Sequence, residues 1–183
     1  MGCPVPKIVK NGEGSALMEN VSLATEVVKA AKSGGRPVSV KFRIGVTADK
    51  IIAGDFAKAM QDAGADAIAV HGRTREQMYS GKADWQTIAE VKKAVDIHVL
   101  ANGDIVDAKS YKEAMQITGC DGAMIARGAL GNPKIFSEIK GLSVEGYSLK
   151  EDILLHLQTM LEFHSEAYVA ANFKKHLAYY CRG

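Results

Sequence analysis

Long apolar runs are missing from this 183-residue chain. None approaches the roughly 18–20 residues that a helical membrane span requires. The N-terminus has no basic region followed by an apolar core, so no signal peptide is expected. Cysteine is scarce: Cys3, Cys120 and Cys181 are odd in number and far apart. They give neither a disulfide framework nor a zinc spacing, so no metal site is expected and a reducing cytoplasm is the expected compartment. A charge excess is also missing. A net +2 neither demands nor excludes a polyanionic partner. No segment is of low complexity. What remains is 47% hydrophobic and 24% charged, the balance of a globular protein with a sizeable core.

The order of apolar segments then predicts the fold. Residues 4–15, rich in Pro, Gly and Lys, read as a loop. A helix fits 16–32 and is stopped by Ser33-Gly34-Gly35-Arg36-Pro37. Strands are predicted at 38–43, 67–71, 97–101 and 122–126, with helices at 49–63, 85–95 and 107–118. The strand ends recur at roughly 25–30 residues, which suits parallel strands joined by helical crossovers. Strands apolar almost throughout are expected to be buried on both faces. After Gly128 the rhythm changes to a short helix, a linker at 141–148 and two helices over 149–180. The predicted class is α/β, with a first domain at 1–140 and an all-α region at 149–183.

In α/β sheets and barrels, ligands bind at the carboxyl ends of the strands. Polar residues cluster there: Lys41 and Arg43, His71-Gly72-Arg73-Thr74, Asn102-Gly103-Asp104, and Ala126-Arg127-Gly128-Ala129. Each alone is ordinary, since strand-end cations are usually solvated and a lone histidine is usually structural. Their recurrence at successive strand ends points to a common site. The glycines of the last two turns let backbone approach a ligand, and a following helix offers unpaired N–H groups, which suits phosphate. Cys3, between Gly2 and Pro4, reads as a presented thiol. Cys120 reads as a small buried hydrophobe, and His98, His156 and His164 as structural or surface residues.

MGCPVPKIVKNGEGSAL, VKFRIG, DAGADAIAVHGRTREQMYSGKADW, VLANGDI and MIARGALGNPKIF resemble successive signatures of the tRNA-dihydrouridine synthases, in that family's order and spacing. HLAYYCRG resembles the start of its helical RNA-binding domain. The resemblance implies a (β/α)8 TIM barrel, here its last four βα units, that binds FMN and reduces a tRNA uridine to 5,6-dihydrouridine with NADPH. It implies that Cys3 protonates uracil C5, a role suited to a thiol, whose ordinary pKa of about 8.5 keeps it mostly protonated at neutral pH. It places Lys41 and His71 against the flavin ring. Asn102, Gly103, Asp104, Ala126, Arg127 and Gly128 then hold the ribityl chain and phosphate. Arg43 and Arg73 face the substrate or its phosphates, with Lys174 and Lys175, in a basic and aromatic cluster running to Arg182, on the RNA. The loop Glu76–Trp85 reads either as packing or as a contact to RNA.

The family's earlier strands, and an asparagine two residues before the glycine of the Cys motif, are not in this chain. This stretch alone is therefore expected to bind FMN weakly, to turn over poorly, and to self-associate through exposed half-barrel edges. Two other readings remain open: an FMN barrel oxidoreductase acting on a small pyrimidine, and a non-catalytic RNA-binding fragment.

Overall fold

The computed structural model describes residues 1–181. Strands β1 (Ser39–Arg43), β2 (Ala67–His71), β3 (His98–Asn102) and β4 (Gly122–Met124) form one sheet in that order. Every pairing is parallel. Helices α2 (Val21–Lys32), α3 (Ala53–Asp62), α4 (Trp85–Ala94) and α5 (Ala108–Thr118) alternate with the strands. This is the α/β arrangement of consecutive βα units of a TIM-type barrel, as the sequence predicts.

Strand alternation splits the sheet into two faces. Val40, Phe42, Ile68, Val70, Val99 and Ala101 join the core with Ala24 and Val28 of α2, Phe56 and Met60 of α3, and Ile88 and Val91 of α4. Phe42 meets Phe56 edge-on, with centroids 5.0 Å apart. Full burial of such a ring contributes about 1.5–3 kcal/mol. The opposite face carries Lys41, Arg43, Ala69, His71, Leu100 and Asn102. Apolar patterning therefore builds one face, and the candidate polar residues stand on the other.

Local details differ from the sequence reading for identifiable reasons. Residues 4–15 are not all loop: Pro6 opens a short helix, α1 (Pro6–Lys10), at the one helical turn where a missing N–H costs nothing. The helix predicted over 16–32 is divided, because Asn20 caps α2 by accepting from the Leu23 N–H at 3.1 Å. A 3₁₀ segment, Gly14–Glu19, precedes it. Helix α3 starts late, since Thr47–Lys50 forms a turn and Gly45 bridges to Ile51.

The chain divides into two compact units, Met1–Ile105 with Lys109–Ile125, and Val106–Ala108 with Ala126–Gly183. The predicted linker at 141–148 thus lies inside the second unit. That unit contains α6 (Ile135–Ile139), α7 (Leu149–Phe163) and α8 (Glu166–Tyr180). Ser148 caps α7 and Ser165 caps α8. Ile135, Val169 and Phe173 are its buried apolar residues. No helix of the described residues is long and apolar enough to cross a membrane.

Candidate active site at the carboxyl ends of the strands

Strand register assembles the site. Arg43 lies opposite His71, His71 opposite Asn102, and Asn102 opposite Met124, so the three polar residues share one row across the sheet. Lys41 stands one row deeper, beside Ala69. The small Ala69 leaves room beside the lysine stem. Asn102 donates from Nδ2 to the Met124 carbonyl at 2.8 Å, which fixes its amide.

Cys3 is exposed, and its backbone is held from downstream. The Cys3 carbonyl accepts from the Ser15 N–H at 3.0 Å and from Ser15 Oγ at 2.9 Å. Ser15 is fully buried. Gly14 has φ +60, and a Cβ there would lie 2.8 Å from the Cys3 oxygen and 3.0 Å from Cys3 Cβ. Gly14 and Ser15 thus form the seat of the thiol segment. Sequence reading passed over both, because nothing in a Pro/Gly-rich loop signals a contact back to its start.

The two arginines are only 2% exposed. Arg43 donates from Nε to the Gly2 carbonyl and from Nη1 to the Thr74 and Met78 carbonyls, each at 2.9 Å. Its guanidinium carbon lies 5.7 Å from the centroid of the Tyr79 ring. Arg73 donates to the Ser80 carbonyl at 3.0 Å, the Gly81 carbonyl at 2.6 Å and both Asp104 oxygens at 2.8 Å. The sequence reading sets both against the substrate or its phosphates; in the fold both side chains are buried. Arg43 Nε and Nη1 are engaged by main-chain carbonyls, Arg73 Nε and Nη2 by main-chain carbonyls and Asp104, and burial leaves both side chains little surface to offer. Asp104 likewise serves the protein, accepting from Arg73 and from the Ala83 N–H at 2.7 Å. The loop that follows β2 is clamped by both arginines. Tyr79 on it is 59% exposed, whereas Trp85 packs on the core and donates to the Gly103 carbonyl at 3.0 Å.

Electrostatics follow from this placement. Burial, and then the cations Arg43, Lys41 and Arg73, push His71 down to about 3. The imidazole is neutral at physiological pH. Arg73 Nη1 lies 3.5 Å from His71 Nε2, and because a guanidinium can only donate, the contact suits the tautomer that carries its proton on Nδ1. Lys41 is half-buried, and burial, then Arg43, hold its ammonium below the usual lysine range. No carboxylate partners it among the described residues. Asp104, the carboxylate that acts on His71, is already engaged by Arg73. The site thus carries positive charge in excess, with an uncompensated ammonium that an anionic ligand would relieve.

A family model described as dihydrouridine synthase matches residues 1–183. The chain belongs to the dihydrouridine synthase family. The probable tRNA-dihydrouridine synthase 1 of Synechocystis sp. is 40% identical over 191 residues, covering 100% of this chain and 54% of that protein. The tRNA-dihydrouridine synthase B of Pseudomonas syringae pv. tomato is 38% identical over 189 residues, covering 98% of this chain and 56% of that protein. The chain spans about half the length of the curated relatives it matches. Among solved structures, the YdjI aldolase of Escherichia coli K12 overlays 87% of this chain and 51% of its own, with a TM-score of 0.42 and 14% identity.

Membership in the dihydrouridine synthase family gives the remaining predicted residues their context. Ala126, Arg127 and Gly128 belong to the second unit, where Arg127–Ala129 is a 3₁₀ turn and Arg127 is exposed. Lys174 and Lys175 are exposed on α8, and Arg182 lies outside the described residues. His156 meets the Tyr180 hydroxyl at 3.1 Å and stacks edge-on with His176, which is internal packing of the helical unit. Cys120 is partly buried against the core, and burial pushes its thiol up. His98 is exposed, with Nδ1 3.9 Å from Asp121.

Proposed function

We propose that this chain forms the later part of the active site of an enzyme that reduces a uridine of tRNA to 5,6-dihydrouridine. The observation that carries the reading is Lys41, a half-buried ammonium without a carboxylate partner among the described residues, set beside a neutral His71. This suits an anionic or anion-accumulating group at the strand ends, and the family resemblance implies FMN as that group. Lys41, His71 and Asn102 would hold the flavin ring, with Gly103 permitting close approach of the backbone. The Lys41 ammonium would stabilise negative charge on the ring. Assignment of Asp104, Ala126, Arg127 and Gly128 to the ribityl chain and phosphate rests on the family resemblance, as does NADPH as the reductant. When bound and reduced by NADPH, FMN would supply a hydride to uracil C6. Cys3 holds a proton at Sγ and gives it to C5, so the C5–C6 double bond becomes single, and the thiolate recovers a proton from water. Neutral His71 offers a hydrogen bond from Nδ1 without adding charge. Exposed Tyr79, with Lys82 on the same loop and Lys174 and Lys175 on α8, would meet the RNA. A cytoplasmic location accords with that substrate.

The test is flavin uptake and substrate choice by the gene product. FMN is expected to bind with a perturbed visible spectrum, and unmodified tRNA is expected to be reduced while free uracil and dihydroorotate are not. Lys41→Met is expected to weaken FMN retention at least about tenfold while raising apo-protein stability by about 1 kcal/mol, since a desolvated charge is removed. Undiminished FMN binding by Lys41→Met, or turnover of a free pyrimidine in preference to tRNA, would contradict the reading.

A further inference from the structure

We propose that Arg43 is a positioning residue that couples the Cys3 segment to the loop after β2, so that the thiol and the loop are set in place together. The proposal rests on the reading of Cys3 as proton donor. Arg43 ends β1, and its guanidinium reaches two segments far from it in sequence. Nε holds the carbonyl of Gly2, immediately before Cys3. Nη1 holds the carbonyls of Thr74 and Met78, at the two ends of the turn that presents Tyr79. The guanidinium also lies against the Tyr79 ring.

Three features argue that this is more than solvation of a strand-end charge. The side chain is almost wholly buried, and its hydrogen bonds go to the neutral carbonyls of Gly2, Thr74 and Met78. Taking a guanidinium out of water is costly, so a charge that only needed solvation would stay at the surface. The acceptors diverge, and a planar fork of donors spans them in a way that an ammonium does not. Met78 has φ 49, in the left-handed region that a long side chain seldom adopts, and its carbonyl is one that Arg43 holds. Arg43 therefore fastens a strained loop tip to the backbone of the thiol segment. It acts through Gly2 and the loop, without touching RNA.

The experiment is a double-mutant cycle on the whole FMN-loaded gene product, read as the single-turnover rate of dihydrouridine formation in unmodified tRNA. Arg43→Lys is expected to slow the rate about 10- to 100-fold, the loss typical of a misplaced reacting group, with tRNA half-saturation unchanged. In a Cys3→Ala background the same substitution is expected to change the residual rate less than about twofold, because residues acting as a unit are not additive. Equal fold losses in both backgrounds, or a loss confined to half-saturation, would overturn the coupling and leave the role of Cys3 intact. A wild-type rate in Cys3→Ala would remove the proton-donor reading and this inference with it. Hydrogen exchange on the same proteins keeps the question open to measurement should Arg43→Lys lose flavin. Amides of residues 2–5 and 76–80 are expected to exchange faster together, and acceleration of only one segment would overturn the proposal.

Discussion

His71 and Lys41 carry the same physical signature, a basic group kept from water among other cations, and it has a measurable consequence. In the unfolded chain the His71 imidazole takes a proton below its ordinary value of 6.5, whereas in the fold it does so only near 3. Between those values the unfolded state binds more protons, so acidification favours unfolding. Stability is expected to fall by up to ~1.4 kcal/mol per pH unit below 6.5 on account of this residue. Thermal melts of wild type and His71→Asn between pH 7 and 5 check it: the variant is expected to show the flatter dependence, and parallel curves would contradict the assignment. At this scale the sequence was informative where polarity interrupted an apolar strand, as at Lys41, His71 and Asn102. It was silent on the burial of Arg43 and Arg73. Their partners are mainly backbone carbonyls, which every residue possesses and no residue type announces.

Among the elements, the loop following β2 and the turn following β3 interlock. Gly103 has φ +119, and a Cβ there would lie 2.7 Å from Ala83 Cβ and 3.1 Å from His71 Cδ2. Gly103→Ala is expected to cost about 2–3 kcal/mol, combining backbone strain with overpacking. Urea unfolding measures this, and an unchanged midpoint would show that the loop yields without cost. The strands were legible because one face of each of β1, β2 and β3 is apolar and buried, and β2 falls on the predicted residues. The helices were legible in their middles and less so at their starts. The split at Asn20 and the short helix opened by Pro6 depend on capping and first-turn geometry, which a periodic pattern does not register.

For the whole molecule, strands in sequential parallel order set Arg43, His71 and Asn102 in one row, with Lys41 one row deeper, and that register follows from the spacing of the βα units. Among the described residues β1 and β4 each pair with one strand only. Val21, Leu23 and Val27 of α2 are 40–45% exposed, adding apolar surface. We expect the chain alone to associate, with a light-scattering mass that rises with concentration; a constant monomer mass would rule this out. The most direct test of tRNA reduction through Cys3 is the dihydrouridine content of tRNA from cells lacking the gene, complemented with wild type or Cys3→Ala, read by nucleoside mass spectrometry. The account predicts a dihydrouridine deficit that wild type restores and Cys3→Ala does not. Equal restoration by both would contradict it.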